Sequence, residues 1–388
     1  MDFRLGQNSD ELRARTAAFL DKNLTREVLE RCYVTGTNHD AEFAKALAEE
    51  GLLALDWAPE LGGGGRDSRD LVGYREELQR RNAPWYAIGT TMTVAHVIAL
   101  MGTQEQRDII VPRALRGEIV IALGFTEPEN GSDAAAAKTR AERSGDGWRI
   151  NGSKMFTTNA HIADYVFMLA RTNPEAPKHR GLTTFLVPLA QDGVEVQEVR
   201  TMSGERTNIT FYKDVYVEDA WRIGDVDGGW NVMAAAFMHE HSAAFVGEQI
   251  RLVEAFEAWA RDAEDDDGRP RVDDPAVREQ IGRSHTEIEV SLLLQRRAVT
   301  AGLNDFSSHG RGSMAKLFST ERLEAQADRT LELVGPNGLR AWGDPTTLQG
   351  GEIEYAVRNA KGTTIYAGTS EIQRNIIAQH VLGLPRPY

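Results

Sequence analysis

The chain has 388 residues, 41% of them hydrophobic and 26% charged, enough to bury two or three cores without disulfides or a structural metal. Its 44 Lys and Arg against 58 Asp and Glu leave a formal charge of -14. That balance argues against nucleic acid as the main partner, while a local basic patch still suits a small anion. Cys32 is the sole cysteine, so an internal disulfide and a Cys-based zinc site are excluded. Met1-Asp2-Phe3-Arg4-Leu5-Gly6 lacks a basic segment followed by an apolar stretch, and no run of about 18 apolar residues occurs. The expectation is a soluble, cytoplasmic protein with no membrane span.

The first 121 residues read as helices. Asn8, with Glu11 three positions on, has the form of a capping box ahead of Leu12, Phe19 and Leu20. Phe43 and Leu47 predict a second helix closed by Gly51. Leu71, Tyr74 and Leu78 form a buried helical stripe, and a further helix is expected from Thr93 to Met101, ending at Gly102. The quartet Gly62-Gly63-Gly64-Gly65 lacks the Gly-Lys-Ser/Thr ending and the preceding strand of a phosphate loop, so it reads as a plain flexible turn.

From about residue 122 the period changes. Trp148-Arg149-Ile150 and Lys154-Met155-Phe156 flank Asn151-Gly152, which predicts a two-strand turn. Tyr165 to Arg171 and Thr183 to Pro188 are compact apolar runs. Ile209, Phe211, Lys213, Val215 and Val217 alternate as one face of a half-buried strand. After Gly228-Gly229 helical spacing returns, with Ile281, Ile288 and Leu292 on one face and Leu323, Leu331 and Val334 continuing the pattern. The charged stretch from Arg261 to Asp274, centred on Asp265-Asp266-Asp267-Gly268, lacks calcium-loop spacing and reads as a solvated loop or hairpin. The fold class is therefore α+β. It comprises an N-terminal helical domain over 1–121, a small middle β-barrel or β domain over 122–226, and a C-terminal four-helix bundle over 227–388.

Four segments stand out chemically. Phe125-Thr126-Glu127-Pro128-Glu129-Asn130-Gly131-Ser132-Asp133 is either a polar turn or a loop that presents hydroxyls and amides to a ring or phosphate. Lys154-Met155-Phe156-Thr157-Thr158-Asn159 is a strand edge, and Gly335-Pro336-Asn337-Gly338 a turn after a helix. Gly368-Thr369-Ser370 opens a helix carrying Ile372, Ile376 and Val381, and an open helix N-terminus also suits a phosphate or carbonyl. His239-Glu240-His241 is not a metal cluster, because residues two apart on a helix point about 200° apart. No metal site is expected.

Taken in order, these segments resemble the acyl-CoA dehydrogenase family. The resemblance rests on Pro59-Glu60-Leu61-Gly62-Gly63, Thr126-Glu127-Pro128 with Gly131-Ser132-Asp133, Asn151-Gly152-Ser153-Lys154, and the closing Ile365 to Arg374. It implies FAD between the β domain and the C-terminal bundle, and α,β-dehydrogenation of an acyl-CoA thioester. In such enzymes a carboxylate takes the α-proton while the β-hydrogen leaves as hydride to the flavin. The common position of that carboxylate is Ala367 here, which cannot act as a base. Enzymes resembling isovaleryl- and long-chain acyl-CoA dehydrogenases carry it on an earlier helix, which corresponds to Glu240. The resemblance gives the backbone N–H of Ala367 the thioester carbonyl. It gives Phe125, Thr126, Gly131, Ser132, Phe156, Thr157, Thr158, Glu332, Gly335, Thr369 and Glu371 the cofactor. Ser132, His241, Lys178 and Arg180 are the candidates for substrate, the last two in a basic loop suited to CoA phosphates. It also implies an electron-transfer flavoprotein or similar acceptor and a tetramer of like or unlike subunits.

One stretch departs from the family pattern. Relatives usually carry an Arg and a Phe-Gly pair after the Glu-bearing helix, where this chain has Ala258-Trp259-Ala260-Arg261. Some bacterial relatives acting on bulky or steroid side chains assemble from unlike subunits with incomplete sites. The alternative expectations are thus a non-catalytic or half-site subunit of a heteromeric enzyme, or a related flavin oxidase or monooxygenase.

Overall fold

The computed structural model describes residues 5–240, 245–300 and 307–385, and the side chains of 237–240 and 307–309 lie outside that description. Helices come first: α1 (Gln7–Asn23), α2 (Arg26–Thr35), α3 (Ala41–Glu49), α4 (Leu71–Arg80), α5 (Tyr86–Met101) and α6 (Gln104–Leu115). Strands follow: β1 (Ile121–Gly124), β2 (Arg140–Ser144), β3 (Gly147–Lys154), β4 (Tyr165–Arg171), β5 (Leu182–Pro188), β6 (Val194–Arg200), β7 (Arg206–Glu218) and β8 (Arg222–Ile223). The chain then returns to helices: α7 (Gly229–Glu240), α8 (Val246–Asp262), α9 (Pro275–Thr300), α10 (Ser307–Val334), α11 (Glu352–Thr363) and α12 (Ser370–His380). This is the α+β order expected from the periodicities. No helix among the described residues is long and apolar enough to cross a membrane.

Local chemistry accounts for most boundaries. Asp40 caps α3 by accepting from Phe43 N at 2.9 Å, and α6 opens on a capping box between Thr103 and Gln106. The capping box expected at Asn8 is absent, because α1 begins at Gln7 and Asn8 Nδ2 instead donates to Asp70 Oδ2 at 3.4 Å. Helix α5 starts at Tyr86 rather than Thr93. Its buried Ala87, Ile88, Val94, Ala95, Val97 and Ile98 leave little polar contrast from which to read a period.

The glycine quartet is a packed turn. Gly64 N donates to Ala54 O, Gly65 N to Trp57 O and Arg66 N to Leu55 O, at 2.8–2.9 Å. A Cβ on Gly63 would lie 2.1 Å from Trp57 O. The amides that a phosphate would need are thus spent inside the turn.

The strands form one sheet in the order β6-β7-β3-β2-β4-β5-β8, with β1 pairing parallel to β4. Asn151-Gly152 is not the predicted turn, since β3 runs through it. The hairpin turn lies upstream at Gly145-Asp146, where Ser144 pairs with Gly147 and Gly145 has φ +62. Opposite Asn151-Gly152, β7 carries an extra residue: Ile150 pairs with Val215 and Gly152 with Tyr212. Asp214 takes φ 55 there, and its N–H donates to Asn151 Oδ1 at 2.8 Å. This bulge flips the parity of β7. Thr210 and Tyr212 are buried before it, Val215 and Val217 after it, and Phe211 and Lys213 face outward. The single-face reading of Ile209 to Val217 therefore holds only for its second half.

The chain divides into two compact units, one comprising 1–20, 67–83 and 241–388, the other 21–66 and 84–240. In the second, Val94, Ile98, Ile110, Phe167, Leu186 and Val232 share one core, and Trp148, Ile150, Met168, Phe185 and Val215 share another. In the first, α8 packs with α4, α9, α10 and α11, around Leu252, Phe256, Trp259, Leu323, Ala327 and Ile353. The 261–274 stretch is the expected solvated hairpin. Glu264 bridges Pro270, and exposed Arg269 pairs with Asp265 and Asp267.

Candidate active site

In the sheet-bearing unit the first two motifs meet. Strand β1 ends at Gly124, and Phe125 turns edge-on to Phe167 at 5.7 Å. Glu127 and Asn130 exchange backbone hydrogen bonds around Pro128-Glu129. Met155 N donates to Thr126 O at 2.9 Å, which sets Thr126 beside the Phe156 segment. Buried Lys154 Nζ donates to Glu127 Oε1 at 2.8 Å and to Leu169 O at 2.6 Å. Glu127 also accepts from the backbone N–H groups of Lys138 and Thr139. Burial would raise the Glu127 pKa, but the Lys154 ammonium and these donors outweigh it and hold the carboxyl at about 2. This pair is structural: it ties the 125–133 loop to β3.

Beyond β3 the backbone is bent by Phe156 (φ 55) and Asn159 (φ 66). The bend exposes the Phe156 ring, 54% accessible, with exposed Thr158 two residues on. Thr157 points inward instead. It is fully buried, and its hydroxyl lies 3.3 Å from that of Thr210. Asn208 Nδ2 donates to Thr157 O at 3.0 Å and to His161 Nδ1 at 3.2 Å, and His161 Nε2 lies 2.8 Å from Thr37 Oγ1.

Gly131, Ser132 and Asp133 are exposed, and the Asp133 carboxylate accepts from Lys178 Nζ. The Arg171 guanidinium donates to Ala135 O, Ala137 O, Lys178 O and Arg180 O. It therefore clamps the segment after Ser132 to the basic loop. Arg180 lines an open cavity with His179, Asp227, Trp230 and Asn231, in which the His179 ring sits edge-on to Trp230 at 4.7 Å.

The helical unit holds the closing motif. Ala367 (φ 53) and Gly368 (φ 85) are consecutive left-handed residues ahead of α12, which Thr369 caps by accepting from Ile372 N at 3.3 Å. Lys316 Nζ donates to Gly368 O at 2.7 Å, and Gln373 Nε2 donates to Ala367 O at 2.9 Å. Among the described residues the Ala367 N–H has no acceptor. Buried Gln373 Oε1 likewise lacks a partner. The Glu371 carboxyl, at the open end of α12, is held below its ordinary range by its own backbone N–H and the Thr369 hydroxyl. Glu332 is exposed near the end of α10, and Gly335 follows with φ 73. Glu240 is the last residue of α7; its side chain and the whole of His241 lie outside the described residues.

Arg171 and Lys316 were given no role in the sequence, and Gln373 stood there only as part of the closing motif. Lys316 had a signal: it precedes Leu323 by two helical turns and so shares its buried face. Trp259, at the departure from the family pattern, is a core residue stacked on Phe256 at 5.5 Å. Among the described residues no cluster of metal-ligating side chains occurs.

Family models match almost end to end. The N-terminal domain of acyl-CoA dehydrogenase matches residues 7–118, the middle domain 122–219 and the C-terminal domain 227–382. Acyl-CoA dehydrogenase FadE26 of Mycobacterium tuberculosis is 35% identical over 348 residues, covering 88% of this chain and 86% of that protein. IpdE1 of the same organism is 31% identical over 399 residues, covering 98% and 99%. Among solved structures, the Tcur3481-Tcur3483 steroid ACAD aligns with a TM-score of 0.91 at 32% identity, covering 100% of both chains. The ChsE4-ChsE5 complex of M. tuberculosis aligns with a TM-score of 0.91 at 31% identity, also over 100% of both. The chain belongs to the acyl-CoA dehydrogenase family and is an oxidoreductase of that class.

Proposed function

We propose that the protein is an FAD-dependent dehydrogenase that converts an acyl-CoA thioester to the 2,3-enoyl-CoA, with Glu240 as the base. The observation that carries this reading is the Ala367 N–H, without an acceptor among the described residues and set in a left-handed turn whose carbonyls are tied back by Lys316 and Gln373. Loss of the carboxylate at 367 leaves this amide able to donate to the thioester oxygen as negative charge develops there. Such a donor is typically worth about 2.7–4 kcal/mol.

The residues present suit the cofactor. A planar ring system needs an apolar face with polar groups at its rim, and exposed Phe156 beside Thr158 offers both. Gln373 Oε1, unpartnered among the described residues, is an acceptor for a ligand hydroxyl. Phe125, Thr126, Gly131, Ser132, Phe156 and Thr158 are assigned to FAD, with Glu332, Gly335, Thr369 and Glu371. Thr157 supports the turn from within. Once bound, FAD supplies the acceptor for the hydride that leaves the β-carbon.

Glu240 takes the α-proton, while Ser132, His241, Lys178 and Arg180 bind the acyl-CoA, the last two at its phosphates. Lys178 also fixes the loop through Asp133. An electron-transfer flavoprotein or similar acceptor reoxidises the enzyme. The chain is organised as domains 1–121, 122–226 and 227–388 within a tetramer. Relatives named as a steroid ACAD and as the ChsE4-ChsE5 complex support a bulky, steroid-type acyl group and an assembly of unlike subunits. The second reading is a half-site subunit that completes a partner's cofactor pocket. It is favoured by Trp259, which is buried in the bundle core where relatives carry the segment after the Glu-bearing helix.

The test is to purify the chain alone and record its yellow colour and the bleaching of that colour by straight, branched and steroidal acyl-CoA thioesters. Glu240→Gln is expected to keep FAD and thioester binding but to lose at least about a hundredfold in turnover. Near-normal turnover removes Glu240 from the mechanism. A colourless chain that turns yellow only with a second subunit establishes the half-site reading.

A further inference from the structure

Beyond the base and the amide, we propose that Lys316 and Gln373 are positioning residues for the enolate-binding N–H of Ala367. The proposal rests on the role given to that amide above. Residue 367 needs this help because an L-residue at φ 53 sits in a sparsely populated conformation, one that ordinary neighbours do not maintain. The N–H and C=O of one residue are coupled through its φ and ψ. Fixing the carbonyl of Ala367 and of the next residue therefore fixes the direction of the Ala367 N–H.

Two donors do this from different elements. Gln373, one turn into α12 and 1% exposed, donates through Nε2 to Ala367 O at 2.9 Å and Gly368 O at 3.3 Å. Lys316, on α10 and 5% exposed, donates to Gly368 O at 2.7 Å. Gly368 holds φ 85, and a Cβ there would lie 2.6 Å from Gln373 Nε2, so a side chain would push that amide off the two carbonyls. A buried lysine that donates to a turn carbonyl carries a desolvation cost that packing alone does not explain. Here it anchors the turn and sets a positive group one peptide from the amide that meets developing negative charge.

The test reads enolate formation directly. 3-Oxooctanoyl-CoA, whose α-carbon is already acidified by a second carbonyl, is titrated with pH against the holoenzyme, following the ultraviolet band of its enolate. The unmodified enzyme is expected to lower the apparent pKa of the bound ligand. Lys316→Met and Gln373→Leu are each expected to reverse this, cutting the enolate fraction at fixed pH by roughly tenfold to a hundredfold, the scale of a misplacement of about 1 Å. Turnover falls in parallel at unchanged KM, and Lys316→Arg recovers part of both. A merely structural role predicts lower Tm and FAD content with ligand acidity unchanged, and that result overturns the proposal. If Lys316→Met fails to fold, Gln373→Leu and Lys316→Arg carry the same test. Failure of the unmodified holoenzyme to acidify the ligand overturns instead the role of Ala367.

Discussion

Lys154 Nζ lies 2.8 Å from Glu127 Oε1 in the sheet-bearing unit, with Lys154 inaccessible and Glu127 6% exposed. The two residues belong to motifs separated by a whole hairpin, and their pairing brings Thr126 and Phe156 onto one stretch of surface. Removing one partner strands the other charge, so Lys154→Met is expected to cost about 3–5 kcal/mol. The double variant Lys154→Met/Glu127→Gln should recover much of that loss. Denaturant titration of the three proteins measures both.

The same carboxyl makes stability acid-sensitive in a defined window. Its pKa in the folded protein, about 2, lies below the ordinary value of 4.5. Its contribution is therefore complete above about pH 4.5 and is lost as pH falls toward 2. Unfolding free energy should drop by about 3 kcal/mol across that range, and Glu127→Gln should flatten the slope.

His161 governs an adjoining window. Burial first, then the Arg206 guanidinium, pushes its pKa from 6.5 to about 4. The folded state thus favours the neutral ring, which accepts from Asn208 at Nδ1 and donates from Nε2 to Thr37. The depressed value means that stability is full above pH 6.5 and is lost as pH falls to about 4, where the unfolded chain alone binds the proton. Allowing for solvent screening at its partly exposed edge, the loss is about 2 kcal/mol. Thermal unfolding of His161→Gln between pH 4 and 6.5 should lack this slope.

Arg171 holds four carbonyls that join the segment after Ser132 to the basic loop. Arg171→Met is expected to lower stability by about 2 kcal/mol, the scale of hydrogen bonds to a charged group. It should also raise KM for acyl-CoA roughly tenfold with FAD content retained, because the loop bearing Arg180 loses its anchor. Steady-state kinetics and flavin absorbance separate the two effects.

The glycine quartet gives a paired comparison. Gly62 has φ 86 with nothing near its missing Cβ, whereas Gly63 faces Trp57 O at 2.1 Å. Gly62→Ala should cost about 1–2 kcal/mol from backbone conformation. Gly63→Ala should cost about 3 kcal/mol or more, because the backbone at Trp57 must move. Chemical denaturation of the two variants checks the order.

How far the sequence could be read depended on the range of the interactions involved. Helical stripes such as Leu71 to Leu78, the apolar runs at Tyr165 and Thr183, and the ordered motifs were legible because neighbours along the chain encode them. Those patterns were sufficient for the α+β class and the family. Asn151-Gly152 looked like a turn, but pairing with β7 across more than sixty residues made it half of a bulge, and the same bulge left Val215 buried while turning Phe211 outward. The inward turn of Thr157, whose hydroxyl lies 3.3 Å from that of Thr210, was not legible in the sequence either. Composition and period say which side chains prefer burial, whereas a hydrogen bond is specified only when both partners have been placed. Lys316 reaches Gly368 across 52 positions. That bond, and with it the direction of the Ala367 amide, became definite only once α10 and the turn before α12 had folded together.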